Sequence, residues 1–339
     1  MSTNNRKLTR CFVAGRSGGH IIPCLTLAQQ WKATHPQGRV LFIGTDTPLD
    51  HALTTHTVVD QKHLYALGNA PWRNPLAYPR FFYQLFLCIM RSYIVLKKER
   101  PERIISTGSY IAIPVVCAAY VLRIPIELWE LNAEPGRTIK LLAPLATNIN
   151  TCFTEAQAQL PTNTCVLSEY PLRYRSTDKI SQVDAHKQLH LASDRVTIFI
   201  LGGSQGSAEL NAIIAALINN YPELAQKIQC IHQTGTQDKT NWPNWYNQQK
   251  IPALVFTYQD NLAPYFCAAD IVLSRAGAGG IFETAFFGKK TIFMPLQTRQ
   301  TSHQLKNALA QVRQHPQQCV MGTDQQTIVD LLRNKIIGK

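Results

Sequence analysis

Two stretches of this chain repeat one construction. The apolar run Cys11–Ala14 empties into AGRSGGHIIP, and the apolar run Val196–Leu201 (VTIFIL) empties into Gly202-Gly203-Ser204-Gln205-Gly206. A helix-compatible segment follows each, Ile22–Thr34 in the first case and from about Ala208 in the second. A buried strand that ends in glycines just before a helix is the opening unit of a parallel, doubly wound sheet. Finding that unit twice in 339 residues, too long for one ordinary core, predicts two such domains.

The intervening chain keeps the rhythm. Strands are expected at Val40–Gly44, Arg103–Ser106 and Ile126–Trp129, with a helix near Ile113–Leu122. The second half adds strands at Ile228–Gln233, Leu254–Thr257, Ile271–Ser274 and Thr291–Met294. A polar, weakly periodic stretch from about Tyr170 to Asp184 is the expected linker. The fold class is therefore α/β, two doubly wound Rossmann-like domains facing a deep cleft, with ligands at the carboxyl ends of the strands.

Composition narrows the chemistry. At 45% hydrophobic and 16% charged residues the chain folds, and disorder is excluded. Lys plus Arg outnumber Asp plus Glu by 34 to 21, which favours anionic partners: nucleic acid, phosphorylated ligands or an acidic membrane surface. The nine cysteines are scattered with no C-x-x-C pair, so a zinc site is not expected and free thiols in a reducing cytosol are. MSTNNRKLTR lacks the apolar core of a signal peptide. Phe81–Leu96 is short for a membrane span and contains Arg91; Ile104–Leu128 is interrupted by Gly108, Arg123 and two prolines, and reads as a buried strand and helix.

The glycine loops suit a charged ligand. Backbone N–H groups at a helix N-terminus reach a phosphate, and Ser204 adds a hydroxyl. The loop does not fit G-x-G-x-x-G and has no P-loop lysine, which removes the dinucleotide and NTPase signatures. A further loop, Arg275-Ala276-Gly277-Ala278-Gly279-Gly280, follows the strand ending at Ser274. Glu283 then stands about one helical turn in, either accepting hydrogen bonds from ribose hydroxyls or serving as a first-turn acid that complements the helix dipole. His303, Gln304 and Asn307 lie near a later helix start, where they suit sugar hydroxyls.

Taken together these strings resemble the MurG family, the peripheral membrane transferases that add N-acetylglucosamine to the undecaprenyl-linked muramyl-peptide precursor of peptidoglycan. The carriers are Gly15–Pro23, Thr107-Gly108-Ser109-Tyr110, Trp129-Glu130-Leu131-Asn132, Gly202–Gly206, Asn211, His232-Gln233-Thr234-Gly235, Ala269-Asp270, Ser274-Arg275, Glu283, Pro295 and His303-Gln304…Asn307-Ala308, in order. The resemblance implies a two-domain GT-B glycosyltransferase, inverting and metal-independent, with no cofactor. Residues 1–172 would take the lipid acceptor and the membrane, and 173–339 would hold UDP-N-acetylglucosamine. By position, Ser17, Gly18, Gly19, Asn132, Arg173, Ser204, Glu283 and Gln304 resemble donor-binding residues, and Gln259 would meet the uracil. His20 resembles the family's essential histidine, and imidazole ordinarily titrates near neutrality, as a base for the acceptor hydroxyl should. The implied product is the C4-linked disaccharide lipid of peptidoglycan synthesis, made at the cytoplasmic face of the cell membrane.

The chain departs from the family pattern in places. Arg16 stands where glycine is usual, a position at which a positive φ is expected. Trp129 replaces a histidine, Gly280 and Phe282 replace hydroxyl residues, and the terminal helices are reduced to Thr327–Ile337.

Trp72-Arg73 and Asn74–Arg100 combine apolar bulk with cations. Phe82, Leu85, Phe86, Ile89 and Tyr93 make one helical face, and Tyr83, Leu87, Met90 and Ile94 make another. One face packs the core and the second is surplus, which suits an anionic membrane interface; the competing reading is a helix buried on two sides. Other readings of the chain are a GT-B transferase for another lipid acceptor, a UDP-sugar epimerase, a catalytically degenerate UDP-sugar-binding relative, or a nucleic-acid-binding protein. No nucleic acid is expected, because the basic residues are dispersed and the glycine loops would go unused.

Overall fold

The structure, a computed structural model, describes residues 8–338 apart from 56, 69–70, 72–73, 162, 204–205 and 297–301. It divides into two compact units, Met1–Arg173 and Tyr174–Lys339. Ser204, Gln205, Gln297, Trp72 and Arg73 lie outside the described residues.

The first unit runs β1 (Thr9–Val13), α1 (Gly18–Thr34), β2 (Arg39–Thr45), α2 (Pro48–Thr54), β3 (Gln61–Tyr65), α3 (Tyr78–Glu99), β4 (Arg103–Ser106), α4 (Ala112–Val121), β5 (Ile126–Glu130), α5 (Arg137–Leu142), β6 (Asn148–Thr151), α6 (Thr154–Gln157) and β7 (Cys165–Leu167). Its seven strands are parallel in the order β3-β2-β1-β4-β5-β6-β7. Along β1 the side chains alternate between two layers. Cys11 and Val13 join the core under α3 and α4, while Phe12 and Ala14 join Ile21, Cys24, Ala28 and Trp31 of α1. Burial on both faces is why the central strands read as continuous apolar runs.

The second unit runs α7 (Gln182–Leu189), β8 (Val196–Leu201), α8 (Ala208–Asn220), β9 (Ile228–Gln233), α9 (Trp242–Gln248), β10 (Ala253–Phe256), α10 (Ala263–Ala268), β11 (Ile271–Ser274), α11 (Ala278–Phe286), β12 (Lys290–Phe293), α12 (Ser302–Gln314), β13 (Cys319–Met321) and α13 (Gln325–Ile337). Its six parallel strands lie in the order β10-β9-β8-β11-β12-β13. In both sheets the order reverses beside the first strand, between β1 and β4 and between β8 and β11. These are the switch points at whose carboxyl ends ligands bind in open α/β sheets.

Three expectations are corrected. Helix α1 begins at Gly18, not Ile22: Ser17 is extended (φ −146°) and its carbonyl accepts from the N–H groups of His20 and Ile21. A first turn lacks intrahelical N–H partners in any case, so two glycines are tolerated there. The expected linker overlaps α7, which Ser181 caps by accepting from the Asp184 N–H. Only Ala185 and His186 of that helix are buried, so its periodicity is faint.

The third correction concerns α3. Its core stripe is Phe81, Cys88, Ser92 and Leu96, with Leu85 and Tyr93 packed beside it. Phe82 and Phe86, expected inside, are each 57% exposed, alongside Tyr83, Met90 and Ile94. The buried stripe carries the small Cys88 and Ser92, which lie beside Tyr65 of β3, so this face packs closely on the sheet without the rings of Phe82 and Phe86. Among the described residues no helix is long and apolar enough to cross a membrane.

Candidate active site

At the carboxyl edge of the first sheet, three adjacent strands, β1, β4 and β5, end in the expected motifs. Ser17 is the N-cap of α1, and Gly18, Gly19 and His20 form its first turn, where N–H groups point outward from the helix end. His20 is tied to the loop after β4 twice. Its Nδ1 lies 2.7 Å from the Thr107 carbonyl oxygen, and the Thr107 hydroxyl donates to the His20 carbonyl at 2.8 Å. A carbonyl only accepts, so Nδ1 carries the proton and Nε2 of the neutral ring carries the lone pair. Gly108 takes φ 99°, which glycine adopts freely, and a Cβ there would make only ordinary contact with the ring, 3.5 Å from His20 Cε1. Burial pushes the Cys24 thiol, one turn on, up to about 12, so it stays protonated.

Asn132 sits in the loop after β5, organised by Glu130. That carboxylate, 2% exposed, accepts from the Asn132 N–H at 2.8 Å and the Gly136 N–H at 2.7 Å. Burial pushes Glu130 up to about 7, against the pull of these N–H donors. Trp129 points its indole N–H at Glu127, 2.8 Å away. Arg173, half-buried, closes the first unit.

In the second unit the loops after β8 and β11 are neighbours. Gly203 (φ 83°) and Gly206 (φ 78°) are left-handed. A Cβ on Gly206 would stand 2.3 Å from the Thr234 carbonyl, so the loop rests directly on the end of β9. Beneath it, Asn211 donates to that same carbonyl (3.1 Å) and to Asp238 (2.7 Å), and accepts from His232 Nε2 (2.9 Å). The Tyr246 hydroxyl donates to His232 Nδ1 at 3.0 Å. Burial pushes His232 down to about 3, so its ring stays neutral beneath the loop. Arg275 joins the two loops, donating to Ser207 Oγ at 2.8 Å, to the Met294 carbonyl at 3.2 Å and to Glu209.

Ala278, Gly279 and Gly280 are the first turn of α11, capped by Gly277. A Cβ on Gly280 would make tight contacts with the Arg275 carbonyl and Ser274 Oγ, both at 3.3 Å. Glu283 is the sixth residue of α11 and half-buried. It lies in the second turn, which removes its alternative reading as a first-turn acid. Gln304 accepts from the Leu296 N–H at 3.0 Å, tying α12 to the loop after β12. Asn307 is fully buried and donates to the Ala276 carbonyl at 3.2 Å, so it braces the glycine loop and is not open to a sugar. Gln259 is exposed in the turn after β10.

The structure thus gathers Ser17–His20 and Asn132 at the carboxyl edge of the first sheet, and Gly202, Gly203, Gly206, Ala278–Gly280, Glu283 and Gln304 at that of the second. Thr107, Glu130 and Arg275 appeared in the sequence reading only as letters of motifs. Their roles come from hydrogen bonds between strand ends, which no local pattern encodes.

Residues 11–151 match the glycosyltransferase family 28 N-terminal domain, and residues 197–336 match the family 28 C-terminal domain. The UDP-N-acetylglucosamine--N-acetylmuramyl-(pentapeptide) pyrophosphoryl-undecaprenol N-acetylglucosamine transferase of Geotalea uraniireducens is 30% identical over 302 residues, 88% of this chain and 81% of that one. The transferase of the same name from Carboxydothermus hydrogenoformans is 29% identical over 306 residues, 88% and 80% of the two chains. The crystal structure of Acinetobacter baumannii MurG superposes with a TM-score of 0.72 at 21% identity, covering 97% of this chain and 91% of that one. This chain belongs to glycosyltransferase family 28 and, within it, to the MurG family.

Proposed function

We propose that the protein transfers N-acetylglucosamine from UDP-N-acetylglucosamine to the C4 hydroxyl of the muramyl sugar of undecaprenyl-pyrophosphoryl-muramyl-peptide, with inversion. The observation that carries the reading is the hydrogen bond from His20 Nδ1 to the Thr107 carbonyl, which makes Nε2 the basic nitrogen of the neutral ring. The acceptor oxygen attacks the anomeric carbon and its proton passes to Nε2. The bond from the anomeric carbon to the β-phosphate oxygen breaks, and the electron pair leaves with UDP. The α11 N-terminus and the Gly202–Gly206 loop offer N–H groups to the developing charge. Glu283 binds the ribose, and Ser17, Gly18, Gly19, Asn132, Arg173, Ser204, Gln259 and Gln304 complete the donor contacts. The second unit holds the donor and the first takes the acceptor.

The test is transfer of labelled sugar from the nucleotide to a synthetic muramyl-lipid acceptor. Folded protein that binds UDP and transfers nothing would refute the reading.

The same proposal places the enzyme peripherally on the cytoplasmic face of the cell membrane, through the exposed face of α3 beside Arg91, Lys97 and Lys98. Phe86→Glu with Met90→Glu should release it from anionic vesicles while UDP binding survives, because both side chains stand in solvent. Retained vesicle binding would remove α3 from the interface.

A further inference from the structure

Arg16 stands where the family usually has glycine, and its φ of 68° is the left-handed conformation that glycine takes freely and other residues resist. Something must hold it. The structure assigns that to Asp50, the third residue of α2, which is fully buried. Asp50 Oδ2 accepts from the Arg16 backbone N–H at 3.1 Å and from the Thr47 hydroxyl. Its Oδ1 accepts from the Thr45 N–H and hydroxyl, both at 2.9 Å. The fit is close: a Cβ on Gly15 would stand 2.6 Å from Thr45 Oγ1. The Arg16 guanidinium does not pair with this carboxylate and reaches the Leu67 carbonyl at 3.4 Å.

The consequence lies two residues on. Ser17 is extended and α1 starts at Gly18, so the bend at residue 16 sets where the first turn begins. In the sheet, β1 lies between β2 and β4. From the β4 side, Thr107 grips His20 through two hydrogen bonds. From the β2 side, Asp50 grips Arg16. The first turn of α1 is thereby pinned from both neighbours of β1, and releasing either grip moves the imidazole.

We propose that Asp50 is a positioning residue of the transfer: its buried carboxylate holds residue 16 in the left-handed bend and so fixes where His20 stands. The inference rests on the proposed role of His20. Asp50→Asn keeps the shape but must turn its NH2 group toward a backbone N–H, that of Arg16 or that of Thr45 beside it, donor against donor, which loosens the clamp either way. Arg16→Gly supplies the same bend with no clamp.

The experiment measures transfer kinetics and amide hydrogen exchange over residues 14–24 in the parent, Asp50→Asn, Arg16→Gly and the double variant. Asp50→Asn should lower kcat by about 10²-fold while the KM for UDP-N-acetylglucosamine rises by no more than several-fold, because Ser17–Gly19 share the moved turn but the donor contacts of the second unit are untouched. Its first-turn amides should exchange faster. Adding Arg16→Gly should restore most of the rate and the slow exchange. Unchanged kcat in Asp50→Asn, or a loss that Arg16→Gly does not recover, would overturn the proposal. If Asp50→Asn does not fold, the double variant should fold and transfer at close to the Arg16→Gly rate; a double variant that also fails to fold makes Asp50 a core residue and overturns the proposal. If the parent transfers no sugar, the proposed function fails, and exchange in the four proteins still decides whether Asp50 holds the bend.

Discussion

The loop after β1 and the loop after β8 make the same turn, from a parallel strand into a helix at a switch point, yet they hold their bends by opposite means. After β8 the left-handed positions are Gly203 and Gly206, and Gly206 lies so close to Thr234 that no side chain fits. After β1 the left-handed position is Arg16, held by Asp50, and Gly18 and Gly19 lie inside the helix. One loop takes its shape from what glycine permits. The other takes it from a buried carboxylate that outweighs an arginine's preference. On the proposed function, the first arrangement holds a ligand against backbone and the second aims a side chain.

The comparison breaks most sharply at His20. His20→Ala should cut transfer by roughly 10²–10⁴-fold with UDP affinity nearly unchanged, because the base is lost and the donor loops are not. Transfer near the parental rate would remove chemistry from the first loop. Next is Gly206→Ala, where a left-handed alanine and a contact with the Thr234 carbonyl act together. It should cost about 2–3 kcal/mol of stability, read by thermal or denaturant unfolding, and weaken UDP binding as the loop shifts. Normal stability would show that the β9 end yields easily. Glu283→Ala should weaken UDP-N-acetylglucosamine by about 1–3 kcal/mol through loss of a charged acceptor, measured by calorimetry. Unchanged affinity in folded protein would free Glu283 from the ribose. The smallest effect is Arg16→Gly, which exchanges one solution for the other: strain is relieved and unfolded-chain entropy is gained, so stability should move by less than about 1 kcal/mol. A larger loss would mean that the arginine side chain itself holds the loop.

The same contrast governs what the sequence could reveal. Arg103–Ser106, Val196–Leu201, Ile228–Gln233 and Ile271–Ser274 are strands with the ends expected for them, because central strands buried on both faces are unbroken apolar runs between turn residues. The edge strands β3 (QKHLY) and β7 (CVL) are polar or short, and carry no such signal. In α3, apolar residues circle the helix, so periodicity alone could not choose Phe81 over Phe82 for the core. The glycines after β8 were legible because the cause of the bend is local. The bend after β1 was half legible: the departure at Arg16 showed, but Asp50 lies 34 residues away and acts through a backbone N–H. The same holds for the grip of Thr107 on His20, across 87 residues.

The central claim is that His20 is held with its proton on Nδ1, leaving Nε2 as the base for the acceptor hydroxyl. Nitrogen-15 NMR of histidine-labelled protein, with His20→Ala to assign the signal, tests this most directly. Above the pH at which the ring loses its charge, the account predicts a protonated Nδ1 donating to the Thr107 carbonyl and an unprotonated Nε2. A proton on Nε2 with Nδ1 bare would contradict it, because the ring could then neither donate to Thr107 nor accept the proton the reaction releases.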